Sequence, residues 1–196
     1  MNIGIDVDGV LTLYKKFEIE KGREYFGKDP IDINTNKIEK MFNCSKKESD
    51  KFWIKYSREY LILQKARPFS AEIIQKLRDE NNKIFIVTSR AKSADNDIIG
   101  LLSRKLLIYW LNRENISYDK IFFCKSSQEK REICEKNKID IMIDDTSENI
   151  EEVSKVTKTY LFEDIIDELN DNSFLKLYNY INNIFEEHTN ELLTYC

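Results

Sequence analysis

Asn2-Ile3-Gly4-Ile5-Asp6-Val7-Asp8-Gly9-Val10-Leu11-Thr12 is a short apolar run that stops at two aspartates and a glycine. Its β-branched residues Ile3, Ile5 and Val7 predict a buried strand, and Gly9 marks where that strand must turn. Side chains two apart on a strand point the same way, so Asp6 and Asp8 face one point beyond its end. Two carboxylates held together there repel each other and call for a cation or a shared proton. The plainer alternative is an acidic strand end bathed in water. Partners further along the chain argue against it.

At 196 residues the chain suits one domain of ordinary size with room for an inserted subdomain. Apolar residues make up 41% and charged residues 34%, a globular rather than a disordered composition. The net charge of −4, with both signs mixed throughout, lacks the basic footprint that long nucleic acid requires. A small phosphorylated ligand needs only a few local cations or a metal and stays compatible. The first strand begins too early for a secretory leader, and no apolar run reaches the length of a membrane span, so a cytoplasmic protein is expected. Cys44, Cys124, Cys134 and Cys196 are scattered without a C-x-x-C pair, which suits reduced thiols. His188 is the only histidine and lies in a polar stretch near the end of the sequence, so multi-histidine zinc sites and most Ser-His or Cys-His triads are not expected. Carboxylates, hydroxyls, lysines and a hard metal remain.

Apolar runs at 3–7, 84–88, 120–124, 139–143 and 157–162 predict five strands. Helical periodicity fills the intervals: Ile73, Ile74 and Leu77 share a face over 70–81, and Leu102, Leu106, Tyr109 and Trp110 do so over 101–115. The segments 127–137 and 147–155 follow the same logic. Such alternation predicts the α/β class with a doubly wound parallel sheet. The long interval after the first strand is different. It holds no good strand, but Ser45-Lys46-Lys47-Glu48 forms a capping box, followed by Phe52, Trp53, Tyr56 and Tyr60 at helical spacing. Arg67-Pro68 closes it, because proline discourages helix in the residue before it. The expected organisation is a core of residues 1–13 and 68–196 with a helical cap at 14–67. Beyond residue 164, Phe174, Leu177, Tyr178, Ile181, Ile184 and Phe185 predict the apolar stripe of one or two helices, packed on the sheet or on another subunit.

The second strand ends in Thr88-Ser89-Arg90, hydroxyls and a cation suited to an anion. The fourth ends in Asp144-Asp145, oxygen ligands suited to Mg²⁺. Each signal is weak alone. Ligands of doubly wound sheets bind beyond the carboxyl ends of the strands, and Asp6, Asp8, Thr88, Ser89, Asp144 and Asp145 all fall there. Phe52, Tyr56 and Tyr60, at i, i+4 and i+8, read more simply as a buried helix stripe than as platforms for a nucleobase.

The order D-x-D-G-V, a hydroxyl after the second strand, a lysine and then D-D resembles the haloacid dehalogenase superfamily of phosphotransferases over residues 3 to 162. A helical insertion with T-S-R and a late I-D-D is similar to the 5'(3')-deoxyribonucleotidases and related bacterial nucleotidases. Lys130-Arg131-Glu132-Ile133-Cys134, followed by Ile139-Asp140-Ile141-Met142-Ile143-Asp144-Asp145, resembles their K-x-E-x-C…IDIMIDD run. That match prefers Lys130 to Lys125 as the functional lysine, either being otherwise an ordinary surface charge.

The resemblance implies a Rossmann-like core and a Mg²⁺-dependent phosphomonoesterase. Asp6 would be its nucleophile and Asp8 its acid and base. Thr88 or Ser89, with Lys130, would hold the phosphoryl oxygens. The metal would bind Asp6, the backbone carbonyl of Asp8, and Asp144, with Asp145 acting through water. Arg90 either binds substrate or pairs with a surface acid. The favoured substrate is a nucleoside monophosphate. A sugar phosphate, another small metabolite, or a non-catalytic phosphate-binding domain stays open. A two-component receiver domain also clusters acids, Thr and Lys, but its lysine comes last, whereas here it precedes D-D.

Overall fold

The computed structural model describes every residue except Ala91, Ile165, Tyr195 and Cys196, and every described side chain except Glu168 and residues 185–194. Five strands form one parallel sheet: β1 (Asn2–Ile5), β2 (Lys83–Thr88), β3 (Lys120–Phe123), β4 (Ile141–Asp144) and β5 (Lys158–Leu161), in the order β3-β2-β1-β4-β5. The chain winds outward from β1 through β2 to β3, then returns to β1's other side as β4. That reversal places the switch point between β1 and β4, where a doubly wound sheet opens its ligand crevice. The register is tight, with Ile3 opposite Ile84 and Ile141, and Ile5 opposite Ile86 and Ile143.

Both faces of the sheet are covered, which is why the strands read as continuous apolar runs. On one face Ile84 and Ile86 pack with α4 (Ser70–Asp79), α5 (Ile98–Arg113) and α8 (Ser173–Thr194) through Leu77, Trp110 and Phe174. On the other, Phe85 and Val87 meet Cys134 of α6 (Ser127–Lys136) and Val153 of α7 (Ser147–Val153). The C-terminal stripe therefore packs on its own sheet, through Phe174, Leu177, Ile181 and Ile184. Phe185, His188 and Cys196, also singled out from the sequence, lie outside the described side chains.

Boundaries shift for local reasons. Helix α5 starts at Ile98 because the Asp97 side chain accepts the Gly100 N–H at 2.7 Å and so caps it. Strand β4 starts at Ile141 because the N–H of Ile139 still closes α6 on Cys134. Among the described residues no helix is long and apolar enough to cross a membrane.

Between β1 and α4 run α1 (Tyr14–Phe26), α2 (Ile38–Met41) and α3 (Lys46–Arg58), followed by a π turn at Glu59–Leu63. Ser45 and Glu48 form the expected capping box at the start of α3. This helical group has its own apolar cluster, including Phe17, Met41, Phe42 and Phe52, separate from that of the sheet. Its entrance and exit meet in a bridge between Thr12 and Ala66.

Arg67 locks that junction. Its Nε donates to Val10 O at 2.9 Å, and Nη2 donates to the carbonyls of Gly9 and Thr12 at 3.0 and 3.2 Å. The guanidinium also pairs with Asp164 and Asp171, both from the segment before α8. The Arg67 side chain is fully buried, so removing it would strand two acids and three carbonyls. Arg67→Ala is expected to cost about 3–5 kcal/mol of unfolding free energy, measured by urea denaturation.

Candidate active site

Three chain segments deliver charge to the switch point. Asp6 follows β1, with its N–H bonded to Ile143 O at 3.0 Å, and Asp144 ends β4. Lys130, in the first turns of α6, is buried and spans them, with Nζ 3.0 Å from Asp6 Oδ1 and 2.5 Å from Asp144 Oδ2. Lys125 sits instead on the surface, 3.6 Å from Asp95. The lysine that meets the acids is thus Lys130. Asp144 is held further by the Thr146 N–H at 2.9 Å and by the Asn149 amide, which reaches both of its oxygens at 3.0 and 3.1 Å.

Gly9 is required where it stands. Its φ is +75°, and a Cβ there would lie 2.0 Å from Asp145 Oδ2. The D-x-D-G turn therefore lets Asp145 come close to β1's loop. Among the described residues, Asp6, Asp144 and Asp145 bring carboxylate oxygens within 4.8 Å of one another.

The charges do not balance. Burial pushes Asp6 up to about 7, against the pull of Lys130, with Asp144 and Asp8 adding to the rise. Burial likewise pushes Asp145 up to about 8, helped by Asp6 and Asp144. Burial would lower Lys130, but Asp6 and Asp144 more than offset it and hold its ammonium charged. Three carboxylates facing one ammonium leave an excess of two negative charges when all are ionised. An all-oxygen donor set with that deficit fits a hard divalent cation. The Asp8 side chain stands apart from this set.

Asp8 is addressed from the other side. The Tyr60 hydroxyl donates to Asp8 Oδ1, and Arg90 Nε lies 3.4 Å from the same oxygen. Arg90 is buried, with its guanidinium 4.7 Å over the Tyr60 ring and 5.4 Å over Trp110. It therefore pairs with an acid of the site, not with a surface acid. The two hydroxyls after β2 separate: Thr88 is buried and accepts the Arg90 N–H at 3.2 Å, whereas Ser89 is exposed.

Two cavities meet at this point. One, of about 170 Å³, lies against Asp6, Asp145, Ser89, Arg90, Thr146 and Asn149. The other, of about 300 Å³, is walled by Tyr14, Trp53, Ser57, Tyr60 and Leu61. Asp8 and Tyr14 line both. The smaller cavity is charged and the larger is largely aromatic.

The sequence reading missed Tyr14, Asn36, Trp53 and Asn149 as site residues and placed Tyr60 in the core. Asn149 left a faint signal, a side chain in the first turn of the helix that follows D-D. Tyr60 closes the predicted stripe but also carries a hydroxyl, which a purely apolar role does not use. Asn36 comes from a loop between α1 and α2 and gave no signal at all.

The 3-2-1-4-5 sheet and the acids gathered about a buried lysine at its switch point agree with the haloacid dehalogenase resemblance of the sequence. The model of the family described as "5' nucleotidase, deoxy (Pyrimidine), cytosolic type C protein" matches residues 1–174, and the chain belongs to that family. With it the chain takes its place among the phosphoric monoester hydrolases. A nucleotidase of Clostridium acetobutylicum is 28% identical over 158 residues, covering 79% of this chain and 76% of the relative.

Solved structures agree on the fold. A hydrolase from Streptococcus pneumoniae superposes with a TM-score of 0.53 at 14% identity, over 84% of this chain and 94% of its own. A protein described as a β-phosphoglucomutase from Thermotoga maritima gives 0.54 at 17% identity, over 91% of both chains.

Raised carboxyl pKa values make a prediction about stability. The folded, metal-free protein binds protons at Asp6 and Asp145 more tightly than the unfolded chain does. Their contribution is full below about pH 4 and is lost as pH rises through about 7 and 8. Wild type is therefore expected to lose stability relative to Asp145→Asn between about pH 4 and pH 8, with a slope of at most about 1.4 kcal/mol per pH unit for one proton. Chemical denaturation in chelator at several pH values measures it, and a flat difference would contradict the crowded-acid picture.

Proposed function

We propose that the protein hydrolyses nucleoside 5'-monophosphates in a Mg²⁺-dependent reaction that passes through an aspartyl-phosphate on Asp6. The observation that carries this reading is the pair of adjoining cavities with Asp8 between them. A phosphoryl group fits the charged one, beside Asp6, and a nucleoside fits the aromatic one. The oxygen that joins the two would then lie at Asp8. Tyr14 and Trp53, stacked on each other with ring centroids 6.0 Å apart, present one aromatic surface to the larger cavity, against which a base can stack. The family description, which names a deoxypyrimidine 5'-nucleotidase, supports the same substrate class.

The chemistry follows from the placement of the side chains. Asp6 attacks phosphorus, so that a bond forms from its carboxylate oxygen and the bond to the leaving oxygen breaks. Asp8 gives its proton to that oxygen. In the second half, Asp8 takes a proton from the attacking water, and the phosphorus–Asp6 bond breaks to release phosphate. Lys130 and Ser89 hold the non-bridging oxygens, and positioning of this kind supplies most of the catalysis in phosphoryl transfer. Thr88, buried behind them, shapes the turn through its bond to the Arg90 N–H. Nη1 of Arg90 has no hydrogen-bond partner and would be free to meet the substrate, while Nε faces Asp8. Asp6, Asp144 and Asp145, with the Asp8 carbonyl, would hold Mg²⁺, which when bound neutralises charge between an anionic nucleophile and an anionic phosphate.

Residues 14–67 act in this reading as a cap that sets substrate choice. Phe52 and Tyr56 serve its core, as the stripe predicts, while Trp53, one position along, turns to the cavity.

Screening a panel of phosphate esters tests the proposal, with nucleoside monophosphates expected to outrank sugar phosphates. Asp6→Asn or removal of Mg²⁺ should bring turnover down to the assay background, and unchanged turnover in either case would sink the mechanism. Trp53→Ala should raise KM for a nucleoside monophosphate about tenfold while leaving that for p-nitrophenyl phosphate within about twofold.

A further inference from the structure

We infer that Tyr60 is a positioning residue that fixes the Asp8 carboxyl group for protonation of the leaving oxygen, and so makes that step depend on the seating of the cap. The inference rests on the phosphatase reading above and adds to it a residue from outside the sheet.

Asp8 has a difficult task for its location. It sits on the turn after β1 with its side chain 26% exposed, where nothing on its own strand restrains it. A general acid must nonetheless hold one oxygen within hydrogen-bond reach of the leaving group. Arg90 Nε faces Asp8 Oδ1 from the end of β2 at 3.4 Å, and the cap adds the hydrogen bond. The Tyr60 hydroxyl donates to Asp8 Oδ1 and lies 3.0 Å from Thr12 Oγ1, which in turn receives the Gly9 N–H at 3.3 Å. One phenol oxygen is therefore tied both to the Asp8 carboxyl and to the turn that carries it. With Oδ1 engaged, Oδ2 is the oxygen left to carry the proton.

Tyr60 is itself held firmly. It is only 3% exposed, and its backbone carbonyl accepts from Arg90 Nη2 at 3.2 Å. It lies in the π turn Glu59–Leu63, a rare geometry that shifts side-chain register and costs helical regularity. The carbonyls leaving that turn are pinned from α5: Trp110 Nε1 and Arg113 Nη2 both donate to Gln64 O at 2.6 Å. The register of α3 thus changes just where Tyr60 must reach the core, and the core holds the changed register in place. A packing role alone would use the ring and leave the hydroxyl without a task.

The test turns on the leaving group. Protonation matters greatly for an alkoxide and little for p-nitrophenolate, which departs without help. The constant kcat/KM covers only steps up to formation of the phospho-enzyme, so the later hydrolysis does not enter. Tyr60→Phe keeps the ring and removes the bond. It should lower kcat/KM for a nucleoside monophosphate by about 10- to 100-fold, and that for p-nitrophenyl phosphate by less than about threefold. Asp8→Asn, run in parallel, should show the same selectivity more strongly. Thermal unfolding of Tyr60→Phe is expected to change little. Equal losses on both esters, or none on either, would overturn the positioning role while the wild-type activity keeps the phosphatase reading intact. A wild-type protein inert toward both esters overturns the two together.

Discussion

Lys130 reaches across the switch point and lays one ammonium against Asp6 and Asp144, which close the central strand and its neighbour. Buried carboxylates at adjacent strand ends would otherwise force those ends apart or take up protons. The contact constrains the rest. It fixes where α6 must start, and it keeps the loop after β4 close enough for Asn149 and Thr146 to hold Asp144. It also leaves the site short of positive charge, so a cation and an anionic substrate can be accommodated together. Removing two charges from water is costly, and the arrangement is tolerated because each carboxylate oxygen of Asp144 has more than one donor.

The parts legible in the sequence were those governed by short-range periodicity. Two-residue alternation put Asp6 at the end of β1, and apolar runs stopping at acids or hydroxyls marked Asp144 and Thr88-Ser89. Which of those hydroxyls faces the cavity was not legible, because the chain turns between them and the Arg90 N–H claims Thr88. Arg67 illustrates the opposite limit. Its position before Pro68 announces a boundary, yet its acid partners lie at Asp164 and Asp171, and no local pattern links residues so far apart. Tyr60 combines both cases: its spacing from Phe52 and Tyr56 is helical, but the π turn changes its direction and only the tertiary fold shows where it goes.

Between them the two buried arginines join the helical segment between β1 and α4 to the sheet and its flanking helices. Arg67 binds the entrance and exit of the helical segment to the segment before α8, through ion pairs and backbone carbonyls. Arg90 reaches from the end of β2 to the Tyr60 carbonyl and lies over its ring, so it meets the cap where the cap meets Asp8. Neither contact resembles a loose tether. Motion of the helical segment as a body would have to break buried polar bonds at both places.

The strand order also bears on how the chain assembles as it emerges from the ribosome. Strand β1 is the centre of the sheet, but its partners arrive at residues 83–88 and 141–144, and the acids that neutralise Arg67 arrive later still. A nascent chain lacking that final third would leave β1 open along the edge that β4 covers, and Arg67 without its two acids. Pairing strands so far apart in sequence must await the later segments, and the partly built sheet keeps an open apolar edge until they arrive.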